Sequence, residues 1–177
     1  MQVSKVLVTV VEVPQVAPIA PYRSYIRTSS TTCSAIVQVE TDTGLSGWGE
    51  HNVNFLEGVS GARMQQQAGD WLIGRDPLNI AVFHRDCPLE MRLKSGIELA
   101  LWDLSGKALG VPVAVLLGGV VREQVEVAAC MGIQSYERAG ESAAYYVEQG
   151  FGPLRSAARR VGKEGRSRWP PHPHNQT

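Results

Sequence analysis

The sequence predicts an α+β protein: a three-stranded antiparallel meander, then a bundle of helices, then the incomplete start of a (β/α) barrel. Three observations carry that prediction. Valine-rich alternating segments fill the first 50 residues, a long helical stripe occupies residues 95–109, and a strand–helix–strand pattern begins at residue 124. That last pattern loses its apolar alternation past Leu154, well before a barrel closes.

Each element has a local cause. Residues 3–13 are rich in β-branched valine and are closed by Pro14, which reads as a strand. Residues 34–41 place Ala35, Val37 and Val39 on one face and Gln38 and Glu40 on the other. Asp42-Thr43-Gly44 supplies the turn, and residues 45–50 return as the third strand. Gly47 and Gly49 flank Trp48 there, a signal of close backbone approach on one face.

Helices follow. Residues 58–72 space Val59, Ala68, Trp71 and Leu72 helically, and Asp76-Pro77 reads as a helix start. In residues 95–109, Ile97, Leu101, Leu104 and Ala108 form the stripe, Asp103 and Lys107 pair at i, i+4, and Gly110 ends the helix. Residues 113–117 make a short turn before Gly118-Gly119. Residues 124–129 alternate Val125, Val127 and Ala129 as a strand. Ser135 caps a helix to Gln149 with Tyr136, Ala139, Ala143 and Val147 as its apolar face, and Gly150-Phe151 leads to another strand.

The chain has 177 residues, 44% hydrophobic and 19% charged, with 17 basic and 17 acidic side chains. Such a composition excludes wholesale disorder, and no apolar run is long enough for a membrane-spanning helix. The six-residue apolar run before Glu12 is too short for a secretory signal. Three cysteines without a Cys-x-x-Cys pair argue against a disulfide framework or a zinc module. A cytoplasmic location is the expectation. The charge balance is uneven: residues 151–177 hold six basic groups and one acid, leaving 11 basic and 16 acidic before them. Four of the ten prolines lie in that same basic tail.

Chemistry-bearing motifs are few. Gly44, Gly47 and Gly49 sit in a hairpin, not between a strand and a helix, and read as structural. No phosphate-binding loop, nucleophile elbow or His-Glu-x-x-His helix occurs. Cys33, Cys87 and Cys130 lie in apolar contexts and read as small buried hydrophobes. His172 and His174 lack carboxylate or thiol partners for a metal. Two loops remain as the candidate site. His51, Asn52, Asn54 and Phe55 follow the third strand, and Tyr22, Arg23, Tyr25 and Arg27 lie between the first two. If the loops converge, they suit a small carboxylate ligand; otherwise they are solvated loops.

Residues 38–50 (QVETDTGLSGWGE) resemble the first hairpin of the mandelate racemase and muconate lactonizing branch of the enolase superfamily. Residues 95–112 (SGIELALWDLSGKALGVP) are similar to that family's long helix, and Leu116-Leu117-Gly118-Gly119 to its connection into the barrel. Gly74-Arg75-Asp76-Pro77 sits where the family has a Gly-x-(Asp/Asn)-Pro turn. The resemblance implies an N-terminal capping domain at residues 1–119, the start of a C-terminal barrel at 120–151, and a separate basic tail at 152–177.

In that family the cap loops close over a small carboxylate substrate, a barrel lysine or histidine removes its α-proton, and Mg2+ stabilises the resulting charge. The outcome is a racemase, epimerase, cycloisomerase or acid-sugar dehydratase. Here the expected catalytic lysines align with Arg155 and Ala157, so no catalytic residue and no metal ligand carries over. The expectation is a truncated capping fragment, inactive by itself, with no cofactor of its own and Mg2+ belonging to the full-length parent. Self-association through the exposed barrel-facing surface is expected, with no specific nucleic acid and no membrane as partner. A reading-frame shift near codon 152 accounts best for the tail, ahead of a disordered end and a basic arm. The alternative is a stand-alone module that binds a ligand or partner through the two loops.

Overall fold

In the computed structural model, residues 1–54, 58 and 60–156 are described. The order is β1 (Val3–Pro14), β2 (Tyr22–Arg23), β3 (Thr28–Ser29), β4 (Thr31–Thr41), β5 (Ser46–Asn52), α1 (Gly61–Leu72), α2 (Ile80–Asp86), α3 (Met91–Leu109), α4 (Val113–Leu116), β6 (Ala129–Met131), α5 (Tyr136–Glu148) and β7 (Leu154–Ser156). The chain divides into two compact units. Met1–Ala20 with Ser29–Val125 form the first, and Pro21–Thr28 with Glu126–Thr177 the second.

The first unit is the expected α+β arrangement, an antiparallel sheet in the order β1-β4-β5 with helices beside it. Register partners Val8↔Val37 and Val37↔Gly49 align the three strands. Ala35, Val37 and Val39 are fully buried, as their alternation requires, beside Val6 and Val8 of β1. Ile97, Ala100, Leu101 and Leu104 of α3, Phe83 of α2, and Ala68 and Leu72 of α1 complete the core. Burying each large aliphatic side chain contributes roughly 2 kcal/mol.

The glycines of β5 set how closely α3 approaches. A Cβ on Gly47 would run into the Ala100 carbonyl oxygen, and one on Gly49 into that of Gly96. Strand and helix therefore meet backbone to backbone. Polar pairs clasp the edge of this contact: Asp103 accepts from the Trp48 amide at 2.9 Å, and Lys107 reaches Asp103 at 2.7 Å and the Ser46 carbonyl at 2.8 Å.

Several boundaries move, each for a local reason. α3 starts four residues earlier than periodicity predicts, because the Glu90 carboxylate caps it by accepting from the Arg92 and Leu93 amides. It ends as expected at Gly110, whose φ of 67° is left-handed. Asp76-Pro77 does not open α2. Asp76 instead accepts from the Leu78 amide to close a turn, and the helix begins at Ile80 behind Asn79. α1 begins at Gly61, with Ser60 capping through the Arg63 amide; Val59 lies outside the described residues.

In the second unit, β6 and β7 are parallel and joined through α5, with Ala129↔Leu154 and Met131↔Ser156 in register. The strand at residues 124–129 is a correction: β6 starts at Ala129, and Val125 and Val127 are 73% and 65% exposed. Alternation alone does not make a strand without a neighbour, and β7 offers only three residues. The apolar face of α5 also shifts. Tyr136 is 95% exposed and Val147 is exposed, whereas Ser142 and Tyr146 are buried with Ala139 and Ala143 half-buried. Tyr146 covers Ala129 and Met131 and meets the Phe151 ring edge-on at 5.8 Å. The tail from residue 157 lies outside the described residues, so most of the basic segment does too. Among the described residues no helix is long and apolar enough to cross a membrane.

Candidate functional site

The sequence-predicted residues fall into two groups, one in each unit. In the second unit, Tyr22 and Arg23 form β2, and Ser24 shapes the turn that follows. The Ser24 amide and hydroxyl both donate to the Arg27 carbonyl, at 2.9 and 3.0 Å, and the same hydroxyl accepts from the amides of Ile26 and Arg27. The turn displays Tyr25 and Ile26 at the surface.

This segment is fastened to the C-terminal end of β6. The Ile133 amide donates to the Arg23 carbonyl at 2.8 Å. A Cβ on Gly132 would stand 2.7 Å from the Arg23 nitrogen, so only glycine permits that approach. The Tyr22 hydroxyl lies 3.7 Å from Cys130 Sγ, and Cys130 is paired in register with Arg155 of β7. The hydrogen bond with Cys130 raises the Tyr22 pKa, burial and the negative charge of a Cys130 thiolate add to the rise, and the Arg155 charge opposes it. The phenol therefore stays protonated at neutral pH, and either it or the Cys130 thiol donates in their contact.

Cys130 corrects the expectation of a buried thiol, since it is exposed while Ala129 and Met131 on either side are buried. Strand alternation through those two apolar neighbours was the signal that turns Cys130 to the opposite face. Ser24 escaped the sequence reading as well; a serine three residues before Arg27 is ordinary turn chemistry.

In the first unit, β5 runs two residues beyond its expected end and takes His51 and Asn52 into the sheet. His51 is thus a buried strand residue, not a loop tip. Its pKa is lowered chiefly by burial; Glu90 and Glu50 pull it up and Arg92 pushes it down. Asn52 is exposed, and its side-chain oxygen accepts from the Asn54 amide at 3.0 Å. The Asn54 side-chain oxygen in turn accepts from the Cys33 amide, so this polar segment is tied to β4. Phe55 lies outside the described residues. The same unit carries an open apolar hollow of about 450 Å³ between Ile36, Trp48, Leu99, Trp102 and Val113.

Chemically, the Tyr22–Cys130–Arg155 group combines a neutral donor, a thiol and a permanent cation, a set suited to binding an anion. Among the described residues no group of three or more histidine, cysteine or acidic side chains stands together to hold a metal ion. The donors of these residues do not fit Mg2+.

Comparison with known proteins adds the following. Residues 6–118 match the family described as mandelate racemase / muconate lactonizing enzyme, N-terminal domain. The D-galactonate dehydratase of Pectobacterium atrosepticum is 40% identical over 105 residues, which cover 54% of this chain and 27% of that protein. The crystal structure of N-succinyl Arg/Lys racemase from Bacillus cereus superposes with a TM-score of 0.78 at 25% identity, over 91% of this chain and 45% of that one. Dipeptide epimerase from Enterococcus faecalis, complexed with Mg and the dipeptide L-Leu-L-Tyr, gives 0.76 at 27% identity, over 88% and 45%. The chain therefore spans less than half the length of these relatives.

Proposed function

Through its N-terminal domain the chain belongs to the mandelate racemase / muconate lactonizing enzyme family, and from that premise we propose that it forms the substrate-covering part of a Mg2+-dependent enzyme acting on a small carboxylate. The parent reaction would be abstraction of the proton α to that carboxylate. The 40% identity with D-galactonate dehydratase favours an acid sugar as substrate.

One observation carries this reading. The Pro21–Thr28 segment is hydrogen-bonded, through Arg23 and Ile133, to the chain just beyond the C-terminal end of β6. Ligands of parallel α/β sheets bind beyond the carboxyl ends of their strands. Tyr22, Arg23, Tyr25 and Arg155, all of the second unit, then serve to bind and orient the substrate anion. Arg155 serves as a binding cation, since a guanidinium makes a poor base. Mg2+, when bound, supplies the charge stabilisation that makes an α-proton acidic enough to remove. In this reading the base and the Mg2+ ligands come from the barrel of the parent enzyme, and residues 1–156 alone do not catalyse the step.

The test is solvent exchange. D-galactonate with Mg2+ in D2O is followed by proton NMR in the presence of the 177-residue chain, and no α-proton loss is expected. Exchange catalysed by this chain would overturn the assignment of the base to another segment. In parallel, residues 1–134 are fused ahead of the remaining barrel of the Pectobacterium atrosepticum dehydratase. A folded fusion that dehydrates galactonate supports the acid-sugar reading, and a folded fusion that neither binds nor dehydrates it overturns that reading.

A further inference from the structure

His51 is 6% exposed, and neither Nδ1 nor Nε2 has a hydrogen-bond partner. It is paired in register with the fully buried Ala35 of β4, and its ring lies against Gly96 of α3. A Cβ on Gly96 would fall 2.6 Å from Nδ1, so the imidazole occupies the space that the glycine leaves open. A neutral ring fits this interior at modest cost. A charged ring without a partner does not, because nothing there replaces its hydration.

The charges that face the ring are few and already engaged. Glu50 of β5 accepts from the Ser34 hydroxyl at 2.6 Å, and Glu90 is occupied in capping α3. Arg92, near the start of α3, opposes protonation, while β4 contributes the apolar Ala35. We propose that His51 is a pH-sensitive latch between β5 and α3: the neutral ring closes their contact, and the protonated ring leaves the interior and loosens it.

The direction follows from linkage. Burial lowers the folded-state pKa below the ordinary 6.5, so the unfolded chain takes up the proton first. Well above pH 6.5 the ring is neutral in both states and its contribution is complete. As the pH falls below 6.5, the unfolding constant rises by up to about tenfold per pH unit, until the folded ring itself protonates.

The experiment measures urea unfolding of the 177-residue chain and of His51→Leu between pH about 8 and about 5. Leucine fills the same space and does not titrate. The expected result is that the unfolding constant of the parent chain climbs below pH 6.5 by about tenfold per pH unit more than that of His51→Leu. Identical pH slopes in the two proteins would overturn the latch. The imidazole signal of His51, assigned by its disappearance in His51→Gln, supplies a second readout. It should keep its neutral-form shift through pH 6.5, and a folded-state titration at or above 6.5 overturns the proposal even if His51→Leu does not fold.

Discussion

The sheet–helix unit and the βαβ unit meet the same requirement, covering one face of a sheet with a helix, by unequal means. In the first, three paired strands offer a continuous apolar face, and 17 buried side chains among the described residues join one core. Among the described residues of the second, β6 and β7, of three residues each, lie under α5, and the buried cluster is Ala129, Met131 and Tyr146. The difference teaches that strand number, not helix quality, limits the smaller unit. α5 is well capped and of ordinary length, but a two-stranded sheet gives it little to cover.

The largest expected effect falls on the feature with no counterpart in the smaller unit. Gly49→Val forces a side chain into the α3 backbone at Gly96 and should destabilise the first unit by about 3 kcal/mol, read as a lowered urea midpoint. A loss below 0.5 kcal/mol would mean that the helix can retreat from the sheet. Hydrogen exchange sharpens the comparison next. Amides in the middle of α3 should exchange on the order of a hundredfold more slowly than those of α5. Equal protection would show that the small cluster around Tyr146 suffices to hold its unit. The smallest effect is a matched pair. Ser60→Ala and Ser135→Ala each remove an N-cap side chain and should cost about 1 kcal/mol locally. The Ser135 variant should raise α5 exchange and leave α3 unchanged.

Legibility in the sequence follows the same division. The meander, its buried faces, the Gly47 and Gly49 approach and the Gly110 stop were readable, because each depends on neighbours close in sequence or on a strict period. The start of α3 was hidden because glutamate is an uncommon capping residue, and Glu90 lies outside the apolar stripe. β6 was misplaced because Val125 and Val127 supply the right pattern without a partner strand. At the candidate site, Tyr22 and Arg23 were recognisable as polar loop residues, but nothing local tells that Gly132, more than a hundred residues later, makes room for Arg23. His51 carried the opposite ambiguity: a histidine beside two asparagines looks solvated until the strand is seen to run through it.

The eight-residue insertion of Pro21–Thr28 into the second unit has a topological consequence. Each unit is discontinuous in sequence, and the backbone passes from one to the other three times, at residues 20/21, 28/29 and 125/126. No single cut can therefore yield both halves intact. Cleavage after residue 125 would release a piece that still carries Arg23, while the Ile133 amide that it serves departs with the other piece. Replacing the second unit therefore means moving residues 21–28 and the segment from residue 126 together, or rebuilding the Arg23–Ile133 seam between them.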